Sequence, residues 1–217
     1  MKKNLTEMVF ILDRSGSMCN LTDDTIGGFN SMIENQKNEP GEAYITTVLF
    51  DDHYELLHNH VDINDIMPIT NKEYYARGCT ALLDAIGKTI NSIGYRLSDT
   101  PEDERPDKVI FVITTDGMEN ASIEFTKQKI KEMIEHQQNK YSWMFMFLGA
   151  NMDAVSEAAS IGINSHYAKT YTANSIGTQS VYTSVSNAMS CARSIDSLYW
   201  NSACCDEVIS KTLNDVK

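Results

Sequence analysis

This sequence lacks the features that mark membrane proteins and disulfide-stabilised proteins. None of its apolar runs approaches the roughly 18 residues that a membrane-spanning helix needs. The first run, Met8 to Leu12, is too short for a secretory signal, so we expect a cytoplasmic protein. The five cysteines are odd in number and show no C-x-x-C spacing, which argues against a disulfide framework or a zinc site.

Basic residues are also scarce. The 217 residues include 18 Lys and Arg against 30 Asp and Glu, a net charge of −12. Most of the surplus lies early: residues 1–107 hold 9 basic and 19 acidic residues (−10), and residues 108–217 hold 9 and 11 (−2). Such a surface argues against binding to nucleic acid or to an anionic membrane. It suits cations, or a partner with basic patches.

What is present is an alternation of apolar runs and amphipathic stretches. It predicts an α/β fold, a doubly wound and mostly parallel sheet with helices on both faces. The predicted strands cover about 8–13, 43–50, 108–114, 143–148 and 166–170, and the predicted helices about 22–37, 81–96, 122–138, 152–161 and 175–194. The link 51–53 is too short for a crossover helix, so residues 54–61 should return as an antiparallel edge strand.

The layout also predicts one helix cap and the extent of the domain. Ser122 is the expected N-cap of the helix at 122–138. We also expect one domain over residues 1–195, with a C-terminal extension, 196–217, packed on it. That extension contains the pair Cys204-Cys205.

Oxygen-bearing side chains cluster at the ends of the predicted strands. Asp13, Ser15 and Ser17 follow the first strand, Asp116 follows the strand 108–114, and Thr80 precedes a helix. Ligands of open α/β sheets bind outside the carboxyl ends of the strands, and oxygen donors suit a hard divalent cation. We predict Mg²⁺, because this set leaves room for water ligands; Mn²⁺ would also fit, and Ca²⁺ less tightly.

The spacing of these residues resembles a known site. Asp13-x-Ser15-x-Ser17, Gly78-x-Thr80 and Thr115-Asp116-Gly117 occur in the order found in the metal-ion-dependent adhesion site of von Willebrand factor A-type domains. The resemblance covers roughly residues 5–195. It implies that the three hydroxyl groups and the two carboxylates hold the ion, the carboxylates directly or through water.

The resemblance also carries a function. It implies that the ion binds an exposed Asp or Glu of a partner protein, often with a shift of the last helix, and that the chain is not an enzyme. Small, stand-alone bacterial or phage versions of the domain are the most similar. Because no unexplained apolar stripe remains in the sequence, we expect a monomer.

Six further residues are expected around the ion: Arg14, Gly16, Gly78, Asp84, Gly117 and Glu119. Gly16 would let the first loop bend closely. Arg14 would either pair with a surface acid or guide the partner's carboxylate. Asp84 would accept hydrogen bonds behind the ion or lie at the surface, and Glu119 would lie at the rim of the site or in a solvated loop.

Two alternative functions remain open at this point. A Mg²⁺-dependent phosphatase of the haloacid dehalogenase type would use Asp13 as its nucleophile, but it needs an acid two residues later, where this chain has Ser15. A regulatory subunit of an ATPase or stress-response complex would dock a basic partner on the acidic first half. Such a contact should weaken with ionic strength, whereas a metal–carboxylate bond should yield to a chelator.

The edge strand offers one further possibility. His58 and His60 alternate along it, which predicts that both side chains lie on one face. They would then be an exposed pair or a site for a softer metal.

Overall fold

A computed structural model describes residues 1–196 and 203–214 of the chain. The strands are β1 (Lys2–Asp13), β2 (Glu42–Phe50), β3 (Tyr54–Asp62), β4 (Pro106–Thr115), β5 (Met144–Ala150) and β6 (Ala168–Tyr171). The α-helices are α1 (Thr22–Lys37), α2 (Leu82–Asp99), α3 (Lys127–Tyr141), α4 (Ala154–Ser160), α5 (Ser175–Ser194) and α6 (Ala203–Asn214). Short 3₁₀ helices cover Gly16–Leu21, Ile63–Asp65 and Ser165–Tyr167.

The six strands form one sheet in the order β3-β2-β1-β4-β5-β6. Only β3 runs antiparallel to its neighbour, β2, and the other pairs are parallel. This confirms the predicted α/β sheet with its antiparallel edge. Successive strands are added on one side of β1 and then on the other, so the strand order reverses between β1 and β4. In open sheets of this kind, that reversal point is where ligands bind.

The helices cover both faces of the sheet. Even-numbered residues of β1 face α1, as shown by Phe10, whose ring packs edge-on against Phe29 at 5.3 Å. Odd-numbered residues face α2, where the buried Glu7 accepts a hydrogen bond of 2.8 Å from Arg96. The central strands are apolar on both faces, which is why they read as continuous apolar runs in the sequence.

The beginning of α3 differs from the prediction. The helix starts at Lys127 and is capped by Thr126, whose side chain accepts from the Lys129 amide at 3.2 Å; Ser122 does not cap it. Residues 122–126 are instead a loop, because the Asp84 carboxylate accepts hydrogen bonds from the amides of Ile123, Glu124 and Phe125. A tertiary contact therefore takes the amides that a Ser122 cap would have bound.

The C-terminal segment forms the helix α6, which packs on α5. Ile209 and Leu213 are buried there, and the Leu213 carbonyl accepts a hydrogen bond of 2.9 Å from Lys169. The division into a domain and an extension stays a prediction, and the side chains of Cys204 and Cys205 lie outside the described residues. In the described parts of the chain, no helix has both the length and the apolar character needed to cross a bilayer.

Candidate metal centre

The candidate residues lie at the carboxyl edge of the sheet, where its strand order reverses. β1 ends at Asp13 and β4 ends at Thr115, and the two strands are paired up to Leu12 and Thr114. The residues that follow each strand therefore leave the sheet side by side. Thr80 joins them from the loop before α2, because its carbonyl accepts from the Asn120 amide at 3.1 Å.

The three hydroxyl groups converge on one place. Ser15 Oγ and Ser17 Oγ are 3.1 Å apart, and Ser17 Oγ donates to Asp116 Oδ1 at 2.5 Å. A methyl group added at Gly117 would lie 2.8 Å from Thr80 Oγ1, 3.4 Å from Ser17 Oγ and 3.7 Å from Ser15 Oγ. All five residues predicted as ligands are thus brought to one edge, four of them around Gly117.

Asp13 is the fully buried carboxylate of the set. Its Oδ1 accepts from the Ser15 amide at 2.7 Å, and its Oδ2 accepts from the Thr115 hydroxyl at 2.6 Å. The buried Tyr74 hydroxyl donates to the Asp13 carbonyl. These contacts fix the carboxylate in position. Sequence reasoning assigned no role to Thr115 or Tyr74; only the position of Thr115 beside Asp116 could have suggested one.

The electrostatics of the two carboxylates favour a bound cation. Burial raises the pKa of Asp13 to about 6, against the opposing effect of hydrogen bonds from Thr115 and Ser15, and the neighbouring Asp116 charge adds to the rise. Burial likewise raises the pKa of Asp116. Two poorly solvated, like charges are costly unless an opposite charge lies between them. A divalent cation coordinated by oxygen would supply that charge.

Arg14 does not point toward the opening of the site. Its side chain is buried, and Nε donates to Asp51 Oδ2 at 2.9 Å. Nη1 lies 2.7 Å from the half-exposed carboxylate of Glu55. Of the two predicted roles, the structure therefore supports pairing with acids, although the principal acid is buried rather than on the surface.

Asp84 and Glu119 hold a loop rather than an ion. Asp84 binds three backbone amides of residues 123–125, as described above. Glu119 Oε2 accepts from the Leu83 amide at 2.9 Å, and Oε1 accepts from the amides of Ala121 and Ser122. The loop between β4 and α3 is therefore fastened to the first turn of α2 by two carboxylates.

Gly16 and Gly78 join the loop after β1 to the loop before α2. The Gly16 amide donates to the Gly78 carbonyl at 3.1 Å. Gly78 has a φ of +67°, and a side chain there would overlap the Asp52 carboxylate, so this position requires glycine. Gly16 has no such requirement, since an added methyl group would meet only the Gly78 carbonyl, at 3.4 Å.

A second group of possible metal ligands lies in the turn between β2 and β3. Ligand atoms of Asp51, Asp52 and His53 all lie within 4.8 Å of one another. Asp51 Oδ2, however, already accepts from Arg14 and, at 2.7 Å, from Arg77. Burial alone would raise the pKa of Asp51, but hydrogen bonds from Arg77, the His53 amide and Arg14 outweigh it and lower the pKa. Two guanidinium groups beside this carboxylate disfavour a metal ion there.

The two histidines of β3 lie on opposite faces, contrary to the prediction. His58 stands opposite Thr47, whereas His60 Nδ1 lies 2.7 Å from Glu7 Oε2 on the α2 face. The cause is an irregular pairing between β2 and β3, with His60 at a φ of +54°. The bulge breaks the alternation of side chains, which removes the possible two-histidine metal site.

Comparison with solved structures identifies the fold. Proximal thread matrix protein 1 from the mussel byssus superposes with a TM-score of 0.60 at 16% identity, over 87% of this chain and 46% of that one. A second structure of that protein, with a zinc-occupied MIDAS motif, gives 0.59 at 18% identity, over 85% and 46%. The manganese-loaded TRAP protein of Plasmodium vivax gives 0.51 at 16% identity, over 67% and 57%.

These likenesses show a von Willebrand factor A-type fold, in agreement with the sequence resemblance. The chain spans about half the length of the proteins it matches. No protein-family model matches the chain, and no curated protein matches it in sequence.

Proposed function

We propose that this chain is a metal-dependent protein-interaction domain. Asp13, Ser15, Ser17, Thr80 and Asp116 would hold a divalent cation, and an Asp or Glu of a partner protein would complete its coordination. The observation that carries the proposal is the convergence of three hydroxyl groups and the Asp116 carboxylate around Gly117. Ser17 is exposed and Asp116 is only partly buried, so a ligand can approach from solvent.

We propose Mg²⁺ as the resident ion. Neutral hydroxyl groups and two carboxylates give a weakly charged oxygen shell, which leaves coordination positions for water or for a partner's carboxylate. Zinc and manganese in the structures of the two neighbouring proteins support a divalent cation in general. The absence of Cys and His from this oxygen set favours Mg²⁺ or Mn²⁺ over zinc.

Catalysis is a weaker explanation of the same residues. A phosphatase would use Asp13 as its nucleophile, and it would need an acid two residues later. The residue two positions later is Ser15, which cannot act as the general acid at neutral pH. One of the neighbours is a matrix protein of the mussel byssus thread, which also fits a non-enzyme.

The proposal also covers the compartment, the oligomeric state and the source of the protein. We propose a cytoplasmic monomer of the stand-alone bacterial or phage type. Cys19, Cys79 and Cys191 are free thiols, which suits a reducing compartment.

A peptide-pool experiment tests the interaction. One pool carries a fixed central Asp between randomised flanks, and the other carries Asn in its place. We expect the immobilised protein to retain the Asp pool over the Asn pool in Mg²⁺, and to lose this preference in EDTA or in Asp13→Ala. Asp103→Ala, which removes an exposed carboxylate from the loop before β4, is the matched control and should behave like the wild type.

The same experiment separates the alternative functions. Preference for the Asp pool that survives EDTA and Asp13→Ala would overturn the proposal. If peptide retention instead weakens as the NaCl concentration is raised, with or without chelator, docking through the acidic surface is favoured.

A further inference from the structure

The loop that precedes Thr80 places an arginine beside the candidate metal centre. The Arg77 amide donates to the Arg14 carbonyl at 2.8 Å, one residue after Asp13. Arg77 is also only three residues from Thr80, and three residues span at most about 11 Å. Its backbone is therefore fixed within the reach of a short peptide bound at the ion.

The guanidinium group of Arg77 is held in position. Nε donates to Asp51 Oδ2 at 2.7 Å, Nη1 donates to the Tyr75 hydroxyl at 3.0 Å, and the group lies 5.2 Å from the centre of the Tyr75 ring. Even so, 41% of the side chain is exposed. Within residues 1–196 and 203–214, its Nη2 has no hydrogen-bond partner. A donor that is fixed before binding loses little entropy when it takes a ligand.

The two arginines near the ion differ in how far their charge is accessible. Asp13 and Asp116 together balance a divalent cation, so the loaded centre is close to neutral. Arg14 is buried and already paired with Asp51 and Glu55. Arg77 shares Asp51 with Arg14 but keeps an exposed edge, so it presents a donor with a partly balanced positive charge to the side that a partner would approach. Asp52 lies beside Gly78 and opposes this charge, so the expected attraction is modest.

We infer that Arg77 binds a second carboxylate of the partner, and that the preferred partner segment is extended and carries two acids. One acid would bind the ion, and the other, two residues away, would accept a hydrogen bond from Arg77. In an extended chain, side chains two residues apart lie on the same face at a separation of about 7 Å. The inference rests on the proposed function of the metal centre.

Sequencing of the retained peptides tests this inference. Among Asp-pool peptides bound in Mg²⁺, we expect about fivefold enrichment of Asp or Glu two positions from the fixed Asp, the size of a charge-assisted contact on a partly exposed group. The enrichment should disappear in Arg77→Gln, while preference for the Asp pool over the Asn pool remains. Lys72→Gln, which removes an exposed charge from the same loop, should keep the enrichment.

A second variant guards against misfolding. Arg77→Gln removes one partner of the buried Asp51, so Arg77→Met, which keeps the side chain's packing on Tyr75, is measured alongside it. Thermal unfolding and Mg²⁺ titration verify that both variants keep the fold and the ion.

The outcomes are distinguishable. No enrichment in the wild type, or unchanged enrichment in both Arg77 variants, overturns the role of Arg77 and leaves the proposed function intact. No metal-dependent preference for the Asp pool overturns the proposed function, and with it this inference.

Discussion

At the scale of single residues, Gly117 controls the space around the ion position. A methyl group there would lie 2.8 Å from Thr80 Oγ1, closer than a normal contact, in the space between Thr80 and the two serine hydroxyls. Gly117→Ala should therefore weaken Mg²⁺ binding at least tenfold without removing any ligand. Isothermal titration calorimetry measures this directly.

The control is Gly16→Ala, in the same centre. Its added methyl group would lie 3.4 Å from the nearest atom, so this variant should bind Mg²⁺ within about twofold of the wild type. Equal losses in the two variants would contradict the geometry.

Asp13 provides a second test through pH. In the metal-free protein its pKa is about 6 when folded, against 3.8 for the free side chain. A raised folded pKa means that the stability from the bound proton is present below pH 4 and is lost as the pH rises through about 6. In EDTA, Asp13→Asn should therefore unfold at a higher temperature than the wild type at pH 7.5 and at nearly the same temperature at pH 4.

The size of this effect is bounded by the pKa difference of about two units, or up to about 3 kcal/mol in the free energy of unfolding. Asp103→Asn is the control, since it removes an exposed carboxylate. A stabilisation of Asp13→Asn that is the same at both pH values would show that ionisation of Asp13 is not its cause.

The five ligand candidates could be placed together from the sequence because each follows or precedes an element whose position in the sheet is predictable. The residues that orient them could not. Thr115 and Tyr74 act on Asp13, and Asn120 Oδ1 accepts from the Thr80 amide at 3.0 Å. These contacts join distant parts of the chain, and no local pattern records them.

At the scale of elements, α1 and α5 pack closely through a glycine. A methyl group at Gly28 would overlap the Tyr182 ring, whereas one at the neighbouring Gly27 would have no atom within 4 Å. Gly28→Ala should thus destabilise the protein by about 1–3 kcal/mol through overpacking. Gly27→Ala should stabilise it by about 0.5–1 kcal/mol, because alanine is the better helix former. Urea unfolding of the two variants tests both signs, and equal shifts in the same direction would contradict this packing.

The end of α5 is attached to α1 by polar contacts. Arg193 Nη1 donates to the Gln36 carbonyl at 2.6 Å, and Gln36 Nε2 donates to the Ser186 carbonyl at 3.0 Å. The buried Lys108 donates to the Arg193 carbonyl at 2.8 Å. A shift of α5 on ligand binding, which the family resemblance implies, would have to break these contacts. That shift stays a prediction.

The errors in the sequence-based layout also lie at this scale. Ser122 gave a local capping signal, but Asp84 takes the backbone amides of that segment. The expected alternation of side chains, which would put His58 and His60 on one face, is interrupted by a bulge in the pairing of β2 and β3. Both differences come from tertiary contacts that a local pattern does not contain.

At the scale of the whole molecule, the fold was predictable because the apolar runs, the turn lengths and the alternation of strands and helices along the chain all favour one arrangement. A bound cation would also change the stability of the whole chain. A divalent cation should stabilise the folded chain, because it binds the assembled centre and not the separated residues. At 100 times its dissociation constant, Mg²⁺ should add about 2.7 kcal/mol, or roughly 5–10 °C in Tm.

Differential scanning calorimetry in Mg²⁺ and in EDTA measures this shift. The shift should be absent in Asp13→Ala and retained in Asp103→Ala. A shift that persists in Asp13→Ala would mean that the ion acts through the general acidic surface rather than through the proposed centre.

The central claim is that five oxygen-bearing side chains at the carboxyl edge of the sheet hold one divalent cation. An anomalous difference map from crystals grown in Mn²⁺ tests it most directly, since Mn²⁺ suits the same kind of oxygen shell as Mg²⁺. We predict one strong peak between Asp13, Ser15, Ser17, Thr80 and Asp116. A map without a peak there, or with its only peak at Asp51, Asp52 and His53, would contradict the claim.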